Sequence, residues 1–100
     1  MIAMLMNNDI FKTISLRIIK EQELIIGPVA WDEARKVEGF QIVDQKSENI
    51  SLLGDSKEVI NKLVSQYVKL FGKASKEACK EAVQDLLAEL PKEEIPLSLQ

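Results

Sequence analysis

The sequence contains no histidine and only one cysteine, Cys79. The lack of histidine removes the commonest general base, the commonest transition-metal ligand and the usual proton switch near neutral pH. A single cysteine cannot form an internal disulfide, which favours a cytoplasmic protein. Because Cys79 falls on the apolar side of a predicted helix, we interpret it as a small buried side chain rather than a nucleophile.

Glycine-rich loops and long apolar runs are also missing. The four glycines stand alone, at Gly27, Gly39, Gly54 and Gly72, and never form a phosphate-binding loop. No apolar run approaches the roughly 18 residues that span a bilayer, and no carboxylates follow the spacing of a calcium loop. The sequence therefore predicts no catalytic residue, no cofactor, no metal site and no membrane partner. An enzyme is the least expected class.

Acidic residues outnumber basic ones by 16 to 13, which gives a net charge of −3. This balance disfavours a general affinity for nucleic acids. A DNA-binding helix-turn-helix around Gly72 remains the third hypothesis, with Ser75 to Asp85 as its recognition helix. The charge of that region opposes it, since residues 73–94 contain four lysines, six acids and no arginine.

The clearest pattern in the chain is a pair of amphipathic helices that meet at Gly72. The first starts at Asp55 or Ser56, which are good N-caps, and the second starts at Ser75 and stops at Pro91. Both carry apolar residues with a period near 3.6. Because the connection is short, we expect the two helices to pack as a helical hairpin.

A second helical pattern starts at Asn8 or Asp9 and ends at Gly27. The alternative interpretation pairs strands 14–18 and 24–26, but residues 20–23 between them are helix formers rather than turn formers. After Gly27, Pro28 can open a further helix that ends near Val37.

In this further helix we expect Trp31 and Ala34 to face inward, and Asp32 and Glu33 to face water. Residues 40–44 and 50–53 then predict a β-hairpin.

We predict a mainly α (α+β) fold in a single domain, residues 1–100, with about four helices in two helical hairpins and a short central β-hairpin. Residues 1–8 should form a mobile or docking N-terminus, and residues 92–100 a loosely held tail. An offset of 45 residues (72 − 27) superposes Gly27 on Gly72 and aligns Ile18 with Leu63, which raises the hypothesis of an internal duplication.

Large apolar residues remain that two helical hairpins do not easily cover. They are the candidates for an interface: Met4, Leu5, Met6, Trp31, Ile95 and Leu97. By elimination, the sequence predicts a non-catalytic regulatory or protein–protein interaction module that forms a homo-oligomer and has an unknown protein partner. The alternative is a sensor with an apolar pocket for a small molecule between the hairpins.

Overall fold

The computed structural model describes the backbone of residues 2–100 and the side chains of residues 10–100. Within that range the chain forms four α-helices, one two-stranded antiparallel sheet and two short 3-10 helices. The elements are α1 (Ile2–Ile26), α2 (Val29–Arg35), β1 (Phe40–Asp44), β2 (Asn49–Leu52), α3 (Ser56–Phe71) and α4 (Lys73–Leu87), followed by 3-10 helices at Lys92–Glu94 and Leu97–Leu99. The predicted mainly α fold with a small β-hairpin is confirmed.

Helix α1 confirms the choice of helix over hairpin for residues 14–26, but its predicted start is wrong. Asn8 and Asp9 lie inside the helix, which begins at Ile2. The residues before them, Ala-Met-Leu-Met at positions 3–6, are good helix formers. The helix can therefore extend through them, and the polar pair does not act as its cap.

Helix α3 begins as predicted, whereas α4 begins earlier than predicted. The Asp55 carboxylate accepts a hydrogen bond of 3.0 Å from the backbone N–H of Lys57, which caps α3. Helix α4 starts at Lys73, immediately after Gly72, so Ser75 lies in its first turn rather than at its cap. Gly72 is the only residue between the two helices, so no loop precedes Ser75 for it to cap.

We call Gly27 and Gly72 the glycine corners, because each joins a long helix to the helix that follows. Their φ angles are +82° and +85°, in the left-handed region that glycine adopts without steric cost. A Cβ atom at either position would meet no other atom within 4 Å. The backbone angle, rather than crowding, is what requires glycine here.

The core lies between α1, α3 and α4. Helices α1 and α4 run antiparallel, since Arg17 contacts Asp85 at 2.6 Å and Gln22 contacts Ser75 one and a half turns further along α1. The apolar faces of the helices fill the space between the two hairpins, and four of the largest side chains there have no exposed surface: Ile14, Ile18, Ile60 and Leu63. Burying one such side chain contributes about 1.5–3 kcal/mol.

The β-hairpin packs on the helices, as a two-stranded ribbon must to be stable. Phe40 pairs with Leu52 and Ile42 with Ile50, before the register shifts at Val43. Phe40 and Ile50 are buried against the helical core. The hairpin therefore belongs to the same packed unit as the helices.

The C-terminal segment 92–100, which we expected to be loosely held, has two anchors in the core. Pro96 and Leu99 are fully buried. The Asn61 side-chain oxygen accepts hydrogen bonds from the backbone N–H and the hydroxyl of Ser98, at 2.9 and 2.7 Å. This segment packs against α3 and is part of the folded unit.

Candidate interaction surface

Two reciprocal hydrogen bonds hold the glycine corners side by side. The Gln22 side-chain N–H donates to the carbonyl oxygen of Ser75 at 3.4 Å, and the Tyr67 hydroxyl donates to the carbonyl oxygen of Ala30 at 2.6 Å. The same offset of 45 residues relates both donors and both acceptors. Each bond joins the last turns of one long helix to the helix after the other glycine, so both corners lie at the same end of the molecule.

The burial pattern repeats with the same offset. Positions 14, 15, 18, 19, 22, 30 and 34 are buried in the first half, and positions 59, 60, 63, 64, 67, 75 and 79 are buried in the second. Seven equivalent pairs of positions are thus buried in both halves, whereas Trp31, Val83 and Leu86 have no buried equivalent. The reciprocal bonds and these pairs relate the two halves by an approximate internal two-fold. This repeat supports the hypothesis of a duplication that the alignment of the two glycines raised.

Four exposed apolar side chains lie at this end, and we call them the corner surface: Ile25, Val29, Leu70 and Phe71. Each lies within about one helical turn of a reciprocal hydrogen bond, which places all four at the same end of the molecule. Leu24, which is 83% exposed, lines a groove with Arg17 and Lys20 along α1 and is not included. Ile25 is 59% exposed and its equivalent, Leu70, is 47% exposed. They stay uncovered because the neighbouring helices end at the glycines.

The corner surface was missing from the interface candidates of the sequence. Its signal was present in the alignment of residues 25 and 26 with residues 70 and 71, all large and apolar immediately before a glycine. On a helical wheel Ile25 and Leu70 belong to the buried face. Only the packing of the four helices shows that no neighbouring helix covers that face at this end of the molecule.

The two corners carry opposite charge. Residues 21–33 contain four acids and no base, and two of these acids, Asp32 and Glu33, are paired with Arg35 and Lys36 just beyond that range, so Glu21 and Glu23 remain. The equivalent residues 66–78 contain three lysines and one glutamate, a net charge of +2. Glu23 lies in the last turns of α1 and Lys73 at the start of α4. We call residues 21–33 the acidic corner and residues 66–78 the basic corner.

The structure places the predicted interface residues in different environments. Met4, Leu5 and Met6 lie outside the residues whose side chains are described. Trp31 is 3% exposed and sits in the core, so it cannot reach a partner unless the core opens, and we do not retain it as an interface residue. In the tail, Ile95 is half-buried against the core.

Of the predicted residues whose side chains are described, Leu97 is the one that is mostly exposed, with 75% of its surface in solvent. It lies in the 3-10 helix Leu97–Leu99, in which Leu99 is the buried residue. The three candidates whose side chains are described, Trp31, Ile95 and Leu97, therefore do not form one exposed site.

Glu33, which we expected to face water, is buried between α2 and α3, with 7% of its surface exposed. Its carboxylate accepts a hydrogen bond of 2.7 Å from the Gln66 amide and contacts the Lys36 ammonium at 3.0 Å. The Gln66 hydrogen bond, followed by Lys36, lowers the pKa of Glu33 despite its burial. The expectation failed because Gln66 lies 33 residues away, and no local pattern shows that contact.

Beside the reciprocal bonds lies a small polar group within the core. The Gln22 amide also approaches the Cys79 sulfur at 3.5 Å, and its oxygen has no hydrogen-bond partner in the described part of the chain. Burial raises the pKa of Cys79 to about 11 and also raises the pKa of the Tyr67 phenol. Both groups therefore stay protonated at neutral pH, which does not suit a nucleophile.

The exposed side of α4 opposes the helix-turn-helix hypothesis. Its buried side packs against the core through Cys79 and Val83. The opposite side exposes Glu77, Glu81 and Asp85 to solvent. These carboxylates would repel DNA phosphates if α4 were placed in the major groove.

An open polar groove of about 320 Å³ runs beside Gln66 on the outer side of α3. Three lysines and two glutamates lie among its lining residues: Lys36, Lys62, Lys69, Glu38 and Glu58. Among the described residues, no group of three or more potential metal ligands comes together. None of the helices in that part of the chain combines the length and apolarity of a membrane span.

Comparisons of the chain with known protein families, with curated proteins and with solved structures gave no match.

Proposed function

We propose that this protein is a non-catalytic protein–protein interaction module that self-associates through its corner surface. The observation that carries the proposal is the cluster of Ile25, Val29, Leu70 and Phe71, exposed together at one end of the helices. Contiguous apolar patches on soluble proteins commonly mark interaction sites, because leaving them in water is unfavourable. The corner surface lies at the ends of packed helices, so little order would be lost on docking.

We also propose a regulatory role for the module, in which reversible self-association controls when it acts. A cytoplasmic location is part of the same proposal. Its support is that the only cysteine, Cys79, is a buried free thiol, which needs no oxidising compartment.

The test is the molar mass in solution, measured by size exclusion with light scattering over a range of concentrations. We expect the wild-type chain to form a dimer. The double variant Ile25→Gln/Leu70→Gln should be a monomer at the same concentrations, because it makes the centre of the corner surface polar. Both positions are exposed, so the variant should keep the helical circular dichroism of the wild type.

Leu97→Gln is the matched control, since Leu97 is a large exposed apolar residue in a different part of the molecule. It should leave the dimer intact. A chain lacking residues 1–6 tests Met4, Leu5 and Met6 separately. A wild-type chain that stays monomeric, or a dimer that is insensitive to the double variant, would contradict the proposed role of the corner surface.

A second candidate function is the binding of a small polar molecule in the groove beside Gln66. Its volume of about 320 Å³ is at the lower end of ligand sites, and three lysines among its lining residues favour a negatively charged group. This chemistry differs from the apolar ligand that the sequence suggested. Thermal stabilisation by small dicarboxylates or phosphate, lost in Lys62→Gln, would support it, and no shift with either probe would count against it.

A further inference from the structure

The two corners are equivalent in position and opposite in charge, which makes the corner surface complementary to itself. In an isologous dimer the same patch of both copies meets around a two-fold axis. Two arrangements can stack the corner surfaces in this way. One sets like corners against each other, and the other sets the acidic corner of each copy against the basic corner of its partner. Only the second is electrostatically favourable.

We infer that the partner at the corner surface is a second copy of this chain, docked so that Glu23 of each copy faces Lys73 of the other. The inference rests on the proposed self-association and adds its orientation and its specificity-determining residues. The apolar side chains supply the buried area. The charges select which of the two arrangements forms.

Glu23 and Lys73 are available for this role because neither forms an ion pair within the part of the chain that the structure describes. In the acidic corner Asp32 and Glu33 are already engaged, by Arg35 and Lys36, each at 3.0 Å. Of the charges in the two corners that form no ion pair among the described residues, Glu23 and Lys73 are the closest in sequence to Gly27 and Gly72. Lys73 is exposed and Glu23 is partly exposed.

The test reverses each charge separately. In a Glu23→Lys dimer, two lysine pairs face each other, and in a Lys73→Glu dimer two glutamate pairs do. Each change turns two attractive contacts into repulsive ones, so we expect the dimer dissociation constant to rise about tenfold for each variant. Analytical ultracentrifugation at low salt measures the constants. Lys92→Glu, a reversal beyond the far end of α4, is the matched control and should change little.

Mixing the two variants gives the decisive result. A heterodimer of Glu23→Lys with Lys73→Glu has lysine opposite glutamate at both contacts, so the mixture should dimerise as tightly as the wild type. The double variant Glu23→Lys/Lys73→Glu should recover for the same reason, and serves if one single variant folds poorly. In about 1 M salt the differences should shrink, because charges are then screened within about 3 Å.

The outcomes separate this inference from the proposed function. If the wild type is a dimer that Ile25→Gln/Leu70→Gln disrupts, but neither the mixture nor the double variant recovers, the orientation is wrong and the proposed function stands. If the wild type is a monomer, both are wrong. Recovery in the mixture, with no effect of Lys92→Glu, establishes the pairing.

Discussion

The Tyr67 hydroxyl donates a hydrogen bond of 2.6 Å to the carbonyl oxygen of Ala30, and neither residue has any exposed surface. This bond joins the two halves of the chain across the approximate internal two-fold. Its counterpart, from Gln22 to Ser75, is longer at 3.4 Å. The two bonds should therefore differ in their contribution to stability.

Replacing Tyr67 by phenylalanine should lower the free energy of unfolding by about 1 kcal/mol. The ring still fills its place, but the hydrogen bond to Ala30 is lost in a site that water does not reach. Urea denaturation followed by circular dichroism measures the change. A variant with an unchanged midpoint would show that this bond contributes nothing.

Replacing Gln22 by methionine should leave the stability unchanged or raise it by up to about 1 kcal/mol. The amide oxygen is buried without a partner in the described part of the chain, and its desolvation is unfavourable. Methionine has a similar shape and no such oxygen. The same urea experiment is used, and a loss larger than about 1 kcal/mol would mean that the long bond to Ser75 matters more than its length suggests.

Shortening Leu99 to alanine should destabilise the fold by about 2–4 kcal/mol, because the side chain is 2% exposed and a cavity would remain. Leu97→Ala, two residues earlier and mostly in solvent, should change the stability by less than about 0.5 kcal/mol. Thermal or urea unfolding of the pair provides the comparison. Equal effects would mean that the tail is not anchored as the structure shows.

Cys79 should react very slowly with a thiol reagent in the native protein at about pH 8. Burial raises its pKa to about 11, and the sulfur is enclosed between α1 and α4. The reactive thiolate is therefore scarce as well as inaccessible. Absorbance after addition of an aromatic disulfide reagent follows the reaction, which should become fast in denaturant. Rapid labelling without denaturant would indicate that the core opens there.

Glu33 should make the stability depend on pH in the acid range. Its pKa is lowered in the folded state, so its contribution is complete above the ordinary glutamate pKa of about 4.3. The contribution is lost as the pH falls through the lower folded value, because the unfolded chain then binds more protons. Urea denaturation of wild type and Glu33→Gln at several pH values isolates this effect.

The advantage of wild type over Glu33→Gln should narrow steadily as the pH falls through this range. Asp85, whose pKa is also lowered by Arg17, changes equally in both proteins and cancels in the comparison. A difference that stays constant with pH would mean that the Glu33 carboxylate is not stabilised by folding.

The sequence predicted the helices well because their signals are local. Asp55 and Gly72 mark the ends of α3, and apolar residues with a 3.6 period mark its buried face. The Ser75 cap failed for a local reason as well. A left-handed glycine can turn the chain without a linker, and a sequence pattern does not reveal how many residues the turn will use.

The candidate surface could not be predicted in the same way, because it depends on contacts between distant residues. Gln22 meets Ser75 across 53 positions, and Glu33 meets Gln66 across 33. Those contacts reflect how the helices pack against one another, which determines which apolar side chains stay exposed. The 45-residue internal similarity came closest to this result, since it aligned the residues around the two glycines.

The β-hairpin turn near Lys46 and Ser47 is the point where the first half of the chain passes into the second, and it lies on the surface. A protease cut there would leave two fragments that still share the helical core, both strands of the ribbon and the reciprocal hydrogen bonds. The peptide link at this turn mainly fixes the local concentration of one half near the other. We therefore expect the two fragments to stay associated after the cut and to elute together from a size-exclusion column.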